Sequence, residues 1–492
     1  MSLPGVGVIV SIIVAVIFAL CLSLSLSSIH RYHLRLFIEH ITARTHSLEK
    51  KSTTTTHTRV PSINSLPPEI LGEIFILVAI RNCSGPPSCS WVCSYWRSVA
   101  LGYPRLWGHS IDVKRDCEDW VMEKLRRGSA TPPHLHLSLA SNEIFVEIAL
   151  RNSVNIISSG ISLRCIALSV PIHILCDITS RFPPVAEHVE TIELRARGTG
   201  IAKLPRSALA MNTPMLRKLL LARCSFQWNL LQSRNLVDLC LFSVPATSQP
   251  HLLFILVGSP NLQKLVIHGS LPRNYASVKP VVTLNRLSYL ELSGNILECA
   301  ALLVRIRYPV TAQTHLLKCG LRESLDHLTN AVAAIKIKFR ATHQPYLRIE
   351  LRKSGIHFSG WFRTNNAWKK ITSLHLISHP TPEILVPTLC GAFPTRSILV
   401  LGIDVQPQTI IEGELWSEIL SFFNATQRLH LFYRPPASLI DFLLLDAQQH
   451  NTTLLPALKL VTMSSLSLNT LRSDQLSVLV YMHLRGLLGY TQ

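Results

Sequence analysis

Apolar residues recur in a short pattern along most of the chain after about residue 132. Each copy starts at a position i and has apolar residues at i+3 and i+5. The pairs are Leu135/Leu137, Ile166/Leu168, Ile192/Leu194, Leu219/Leu221, Leu239/Leu241, Leu265/Ile267, Leu290/Leu292, Leu347/Ile349, Leu374/Leu376, Leu399/Leu401, Leu429/Leu431 and Leu458/Leu460. Successive copies are 20 to 31 residues apart, except for one step of 57 residues with an irregular copy near His315. Such self-similarity is typical of a solenoid.

Each copy predicts a short strand with one buried face, because alternate side chains of a strand point to opposite sides. Segments with helical apolar spacing lie between the strands, for example His251–Val257 and Leu415–Phe423. We therefore predict an α/β repeat in which each strand is buried by stacking on its neighbours. The alternative is an ordinary α/β domain, whose strands would carry longer apolar runs because both faces are covered.

Three copies resemble leucine-rich repeats: LRKLLL at 216–221, NLQKLVI at 261–267 and RLSYLEL at 286–292. This resemblance implies a solenoid with one strand and one helix in each unit of about 27 residues. It also implies that residues 130–492 form a recognition domain. The asparagine that closes the consensus turn is absent from most copies, although Asn295 could fill that role once. The repeats are therefore degenerate.

The residues between the buried positions of each strand are expected on the opposite face of the sheet. We select eight basic or histidine residues there as candidate substrate-binding residues: Arg195, Lys218, Lys264, His268, Arg348, His375, Arg428 and His430. Acidic residues are interspersed, but the balance is basic. We expect an acidic partner segment whose binding weakens with salt. Solvated charge without a partner is the alternative for any single residue.

Residues 63–113 predict a small helical module that precedes the repeats. The first helix is expected to begin at Pro67–Glu69, since proline is tolerated in the first helical turn. Its apolar residues recur at helical spacing on one face: Ile70, Leu71, Ile74, Phe75 and Val78. The proline-rich stretch Asn82–Ser88 is expected to end this helix.

A second helix is predicted after that break, with Val92, Trp96 and Val99 on one face and Cys93 beside it. Tyr103–Trp107 is then expected to turn the chain and to add aromatic residues to the core. Three short pieces with about ten large apolar groups can pack together, although a module of this size is marginally stable alone.

The order of these elements resembles the F-box and F-box-like domain. The matching residues are Leu66-Pro67-Pro68-Glu69-Ile70-Leu71, Ile74-Phe75, Val92-Cys93, Trp96-Arg97 and Pro104-Arg105-Leu106-Trp107. The resemblance implies a three-helix domain that binds the Skp-type adaptor of a cullin ubiquitin ligase. The adaptor-binding residues that it implies are Leu66, Pro67, Pro68, Ile70, Leu71, Ile74, Phe75, Val92 and Trp96. The stretch Asn82–Ser88 departs from the family, because it lacks the usual aliphatic residues. A plain helical cap over the repeats is the alternative.

Val6–Leu26 is a run of 21 residues without a charge. A helix of that length spans about 30 Å, the thickness of the hydrocarbon core of a bilayer. The apolar part of a cleaved signal peptide is normally shorter and follows positive charge. We therefore predict a transmembrane helix at 6–26 and a linker at 27–62. Basic residues after the run place the rest of the chain in the cytosol. The alternative is a segment foreign to an otherwise soluble protein.

The chain has 492 residues, which indicates several domains or one elongated array. Lysine and arginine total 48 against 29 acidic residues, a net charge of +19. This excess attracts nucleic acid, anionic lipid or acidic proteins. The basic residues are dispersed, and no zinc-finger spacing, RNA-binding signature or basic zipper is present. We therefore do not expect specific binding of nucleic acid.

The 12 cysteines contain no C-x-x-C pair, which favours buried thiols in a reducing compartment. His134 and His136 lie on the same face of a predicted strand. Two histidines without a third ligand are more often surface residues than a zinc site. The sequence contains no G-x-S-x-G, Walker or G-x-G-x-x-G motif. We therefore expect no enzymatic activity, no metal and no cofactor.

These features predict the substrate-recognition subunit of a Skp–cullin–F-box-type ubiquitin ligase. The F-box-like module would bind the adaptor and the repeats would bind a protein substrate. The alternative is a membrane-tethered leucine-rich-repeat scaffold without a ligase role. In both cases a single N-terminal helix would anchor an otherwise cytoplasmic protein.

Overall fold

The computed structural model describes residues 65–463 apart from a set of short stretches. Those stretches are 82–84, 130, 141–145, 209–212, 228–230, 232–233, 246–248, 272–280, 321–331, 337, 340–343, 354, 364–367, 378–381, 392, 407–408, 410–412, 433–436 and 449–454. The described residues divide into two compact units. The first contains residues 65–112 and 123–131, and the second contains residues 113–122 and those from Pro132 onward.

Short helices build the first unit. They are α1 (Pro68–Arg81), α2 (Gly85–Ser90), α3 (Ser94–Leu101) and α4 (Pro104–His109), and a further helix, α5 (Glu118–Arg127), contributes residues to both units. Leu71, Phe75 and Leu106 are almost fully buried in the core of this unit. Trp107 is buried as well, and its Nε1 donates a hydrogen bond of 2.8 Å to the Ala100 carbonyl. The aromatic ring thus fills the core without leaving its polar atom unpaired.

The structure corrects two details of the predicted helices in this unit. The stretch Asn82–Ser88 does not only break a helix, because α2 begins inside it at Gly85. Prolines in a first turn remove no hydrogen bond of the helix, which is why this start is allowed. Val92 was expected to share a helix face with Trp96, but it precedes α3 and is 59% exposed. Cys93 caps α3 instead, since its Sγ accepts a hydrogen bond of 3.4 Å from the Trp96 N–H.

The second unit contains strands and helices, and most of its strands form one large mixed sheet. Its strands are β1 (His134–Ser138), β2 (Cys165–Pro171), β3 (Thr191–Arg197), β4 (Ala202–Lys203), β5 (Lys218–Ala222), β6 (Cys224–Ser225), β7 (Asp238–Phe242), β8 (Lys264–His268), β9 (Val282–Thr283), β10 (Tyr289–Ser293), β11 (Ile306–Arg307), β12 (Gln313–Gly320), β13 (Tyr346–Arg352), β14 (Gly355–Arg363), β15 (Trp368–Ile377), β16 (Val400–Val405), β17 (Arg428–Phe432) and β18 (Leu460–Met463). Its helices are α6 (Val146–Ser158), α7 (Ile172–Ser180), α8 (Gln249–Val257), α9 (Ile296–Arg305), α10 (Pro382–Cys390), α11 (Gly413–Ser421) and α12 (Ala437–Gln448).

Fourteen of the described strands form one sheet in the order β1-β2-β3-β5-β7-β8-β10-β12-β15-β14-β13-β16-β17-β18. Neighbouring strands are parallel, except that β14 runs antiparallel to both β13 and β15. The predicted α/β class is thus confirmed, as a mixed sheet with several helices. Among the described residues, however, no α-helix lies between β3 and β7 or between β8 and β10, where the repeat prediction placed one in each unit. The antiparallel β14 was not predicted, because its buried pair Ile356/Phe358 lies within a step of regular length, between Leu347 and Leu374, and was not recognised as a further strand.

Two rows of side chains run across the sheet on one of its faces. From β1 to β10 the register aligns the first residue of each predicted pair with the first residue of the next, so that Leu135, Ile166, Ile192 and Leu219 are neighbours. On β15, by contrast, Leu374 aligns through Leu316 with the second residue of its pair, Leu292. In ten of the twelve predicted copies both residues of the pair are buried. Helices cover this face, as α9 shows: Cys299 Sγ lies 3.8 Å from Cys319 Sγ on β12. Asn295 caps α9, with Oδ1 accepting a hydrogen bond of 2.8 Å from the Leu297 N–H.

Two copies of the pattern are shifted relative to the prediction. Leu399 precedes β16 and is 40% exposed, whereas Leu401 and Ile403 are buried. Leu401 pairs with Leu429 across the sheet, so the inward pair is Leu401/Ile403 and not Leu399/Leu401. In the last copy Leu429 pairs with Val461, which is buried, and not with Leu458, the first residue of the predicted pair. Overlapping alternations in these sequences allow both registers, and the neighbouring strand selects one.

At the irregular copy and on the next two strands of the sheet, threonine or glycine replaces leucine in one of the two rows. Thr314, Thr372 and Gly360 occupy the positions that align with Leu290. Thr372 Oγ1 donates a buried hydrogen bond of 2.5 Å to Gln344 Oε1. A Cβ at position 360 would collide with Gln344 Oε1, so this amide occupies the space that a side chain at 360 would take. Gly360 therefore allows a polar group to replace apolar packing beneath β14.

Among the described residues no helix is long and apolar enough to cross a membrane. The apolar run Val6–Leu26 and the linker at 27–62 lie outside the described residues.

Candidate interaction surfaces

The predicted adaptor-binding residues divide into buried and exposed groups. Leu71 and Phe75 are at most 1% exposed and stabilise the core of the first unit. Trp96 is half-buried, with its ring centroid 5.1 Å from that of Phe75. Leu66 is half-buried too, and its carbonyl accepts a hydrogen bond of 2.6 Å from the Tyr95 hydroxyl. These four residues fix the shape of the module.

The exposed members of the set are Pro67, Pro68, Ile70 and Val92, while Ile74 is half-buried. Pro67 and Pro68 lie at the start of α1, where the backbone enters the helix. Ile70 is 36% exposed. A partner could contact these residues without unfolding the module.

Two exposed apolar residues were missed by the sequence analysis. Leu77 is 37% exposed and follows Ile70 and Ile74 at helical spacing, so the three residues form one stripe along α1. We call Ile70, Ile74 and Leu77 the α1 stripe. Trp91, which is 74% exposed, lies beside Val92 in the connection between α2 and α3. The sequence could have indicated Leu77, because this residue continues the helical spacing of Ile70 and Ile74 along a second face of α1.

All eight predicted substrate-binding residues lie on the face of the sheet opposite the buried rows, which we call the open face. They alternate with buried leucine or isoleucine on β3, β5, β8, β13, β15 and β17. The sheet does not bring all eight together, because their strands are distributed across it. Seven of them belong to or border three separate groups of polar residues, and Arg428 lies on β17.

The first group lies on β3 and β5. Lys218 Nζ is 2.6 Å from Glu193 Oε1, and Arg195 lies 3.7 Å from the same carboxylate. Burial alone would lower the pKa of Lys218, but the hydrogen bond and charge of Glu193 raise it above its usual value. Arg195 keeps a side chain that is 46% exposed.

The second group lies on β8 and β10. His268 Nε2 is 2.6 Å from Glu291 Oε1, and the Tyr289 hydroxyl donates a hydrogen bond to the same carboxylate. The hydrogen bond with His268 holds the pKa of Glu291 below its usual range against the effect of burial. Lys264 Nζ lies 5.5 Å from the centroid of the Tyr289 ring. Beside this group Leu220, Cys240 and Val266 form a small apolar patch on the open face.

The third group lies on β13, β16 and β17. Arg348 is 2.5 Å from Asp404 and 3.3 Å from Glu350, and its guanidinium lies 3.9 Å from the centroid of the Phe432 ring. Arg352 pairs with Glu350 at 2.5 Å. These contacts fix the Arg348 side chain between two acids and an aromatic ring.

Several histidines border the third group. His357 Nε2 is 2.9 Å from Ser373 Oγ, and the His357 and His375 rings are 5.5 Å apart. The His430 ring stacks on Phe432 at 4.2 Å. Burial lowers the pKa of His375 and His430, and it lowers that of His315 to about 4. Burial thus favours the uncharged form of these last three rings.

The basic balance of the open face is smaller than the sequence suggests. Lys218, His268 and Arg348 each pair with a carboxylate. Of the eight predicted substrate-binding residues, Arg195 and Arg428 are exposed and the others are half-buried. These two arginines would therefore be the accessible positive charges that an acidic partner contacts on the open face.

One group on the open face has the composition of a metal site. The ligand atoms of His134, His136 and Cys165 all lie within 4.8 Å of one another. The sequence analysis found the two histidines but not the cysteine, because residue 165 comes from the next strand.

Comparison of the chain with models of known protein families and with curated protein sequences finds no match.

Proposed function

We propose that this protein is a substrate-recognition subunit of a Skp–cullin–F-box-type ubiquitin ligase. The observation that carries the proposal is the α1 stripe, an apolar surface on a small helical module whose sequence resembles the F-box-like domain. Exposed apolar side chains on a folded module favour a protein partner over water. Trp91 and Val92 add exposed apolar surface of the kind that is enriched at interfaces.

We also propose that the sheet and its helices are degenerate leucine-rich repeats. Two rows of aligned apolar residues and the parallel pairing of successive strands support this assignment. Helices cover the face that carries the buried rows, so we assign the open face to a protein substrate. The three groups around Arg195, His268 and Arg348 would supply polar contacts, whereas Leu220, Cys240 and Val266 are at most 5% exposed and would stabilise the open face itself.

The proposed mechanism requires no chemistry from this chain. A substrate that binds the open face while the module binds the adaptor is held at a high effective concentration near the ubiquitin-loaded enzyme. The ligase partners would perform the transfer. The residues assigned here therefore determine affinity and specificity.

Adaptor binding tests the proposal directly. We expect full-length protein to capture a purified Skp-type adaptor, and Ile70→Asp with Leu77→Asp to reduce that capture more than tenfold, since a charge within an apolar contact costs more than the contact stabilises. The matched control is Phe254→Asp, the same change at a residue on α8 that is 61% exposed. Circular dichroism checks that each variant is folded. If the wild-type chain never binds the adaptor, the ligase function is wrong.

A membrane-tethered repeat scaffold is the second candidate, because Val6–Leu26 has the length and composition of a spanning helix. We propose that this segment anchors the protein and that residues 27–62 link it to the rest of the chain. Resistance to carbonate extraction is expected, together with digestion of a C-terminal tag by protease added outside vesicles. A protected tag would place the repeats in the lumen and exclude a cytosolic ligase role.

A further inference from the structure

Three potential metal ligands converge at the edge of the sheet. β1 is the edge strand, and His134 and His136 both point to its open face. Cys165 lies on β2 directly opposite His134 in the parallel register. The two imidazole rings are nearly parallel, with centroids 6.0 Å apart. Cys165 is buried at 7% exposure, His134 is half-buried, and His136 retains contact with solvent.

The distances fit a tetrahedral ion after small rotations of the side chains. Bonds of about 2.0–2.3 Å to nitrogen and sulfur place the ligand atoms of a zinc site roughly 3.3–3.8 Å apart. The ligand atoms here are already within 4.8 Å of one another. Two imidazoles and one thiolate are the donors that zinc prefers, and a water can take the fourth position on the solvent side.

Glu193, on strand β3, lies close to the group, where its carboxylate also pairs with Lys218 and Arg195. Across β1, β2 and β3, His136 pairs with Ala167 and Ala167 pairs with Glu193. Because alanine is small, its side chain does not separate the imidazole of His136 from the carboxylate of Glu193. A zinc ion would displace the thiol proton and would balance the charge of the thiolate.

We propose that His134, His136 and Cys165 bind a zinc ion that clamps the edge strand β1 to β2. The two histidines alone resemble ordinary surface residues, whereas the buried thiol on the adjacent strand completes a set of three ligands. The ion would cross-link strands that are about thirty residues apart in sequence. Binding to the folded state alone would raise the unfolding temperature.

Cobalt(II) is the probe for this site, because a cobalt–thiolate bond has a charge-transfer absorption in the near ultraviolet that zinc lacks. We expect full-length protein to show this band at one equivalent of cobalt and to lose it when zinc is added. Cys165→Ser should abolish the band, and His136→Ala should weaken cobalt binding more than tenfold. Zinc should raise the unfolding temperature of the wild-type protein but not that of either variant.

Cys240→Ser is the matched control, since Cys240 is also buried on the open face but lies among Leu220 and Val266. It should keep the cobalt band. Folded wild-type protein without the band, or a band that persists in Cys165→Ser, would overturn the proposal. His136→Ala keeps the test decisive if Cys165→Ser fails to fold, because His136 is accessible to solvent. Adaptor capture uses a different unit of the protein, so its failure would leave this result unaffected.

Discussion

Glu350 shows how single side chains stabilise the open face. Its carboxylate is 10% exposed and lies near Arg348, Arg352 and His357, at 3.3, 2.5 and 3.5 Å. Burial raises the pKa of Glu350, but the hydrogen bond with His357 and the charges of His357 and Arg348 outweigh burial and lower the pKa to about 2. A buried carboxylate with this many donors stabilises the protein in its ionised form.

The lowered pKa of Glu350 predicts a loss of stability in acid. The folded pKa is below the unfolded value, so the ionised group contributes stability above about pH 4.5, and this contribution is lost as the pH falls towards 2. Between pH 7 and pH 3 the unfolding free energy of the wild-type protein should fall by about 2 kcal/mol more than that of Glu350→Gln. Urea unfolding at both pH values measures this difference.

Glu414→Gln is the control for the Glu350 experiment, because it removes a carboxylate from an exposed position on α11. Its unfolding free energy should follow the wild-type pH dependence. An equal acid response in wild-type protein and Glu350→Gln would show that the contacts of Glu350 contribute nothing to stability.

The position of a strand in the sheet depends on its neighbours as well as on its own pattern. Near β16 the sequence contains apolar residues at 399, 401, 403 and 405. Either Leu399/Leu401 or Leu401/Ile403 could therefore be the buried pair. Pairing of Leu401 with Leu347 and Leu429 selects the buried pair. Leu399 lies outside the strand, where its backbone carbonyl accepts hydrogen bonds from Gln427 and Arg428.

Alanine substitutions at 399 and 401 test this register. Leu401→Ala should lower the unfolding free energy by about 2–5 kcal/mol, because it leaves a cavity in a fully buried row. Leu399→Ala should cost less than about 1 kcal/mol, since that side chain is 40% exposed and its backbone hydrogen bonds remain. Denaturant unfolding of the two variants compares them directly. Equal costs at the two positions would support the register that the sequence pattern suggested.

The whole molecule has a net charge of +19. Most of the candidate lysine and arginine residues on the open face nevertheless lie beside a carboxylate, namely Arg195, Lys218 and Arg348. Arg348→Glu would place a third acid beside Asp404 and Glu350, so it should lower the unfolding temperature by several degrees. Such a variant cannot separate binding from folding. Arg195 and Arg428 are better test positions, because both are exposed.

Charge reversal at these two arginines predicts a change in binding without a change in folding. A labelled polyglutamate peptide should bind the Arg195→Glu and Arg428→Glu double variant at least fivefold more weakly at low salt, by fluorescence anisotropy. The unfolding temperature should change by less than about 2 °C. Arg151→Glu is the control, since Arg151 is exposed on helix α6 and not on the sheet. If neither added salt nor the double substitution weakens binding of the peptide, an acidic partner for this face is excluded.

The sequence by itself determined the α/β class, the places of most strands and the open-face positions of the eight candidate residues. These properties follow from local alternation, because successive side chains of a strand point to opposite faces. The sequence also indicated a helical segment that starts at Pro67–Glu69, since proline and glutamate favour a first turn.

Only the tertiary structure decided which residues meet. The antiparallel β14, the register at Leu401 and the pairing of Arg348 with Asp404 depend on strands that are distant in sequence. The same is true of Cys165, which joins His134 and His136 because β2 pairs with β1. Local patterns carry no information about which strand lies next to which, and hydrogen bonding between strands supplies it.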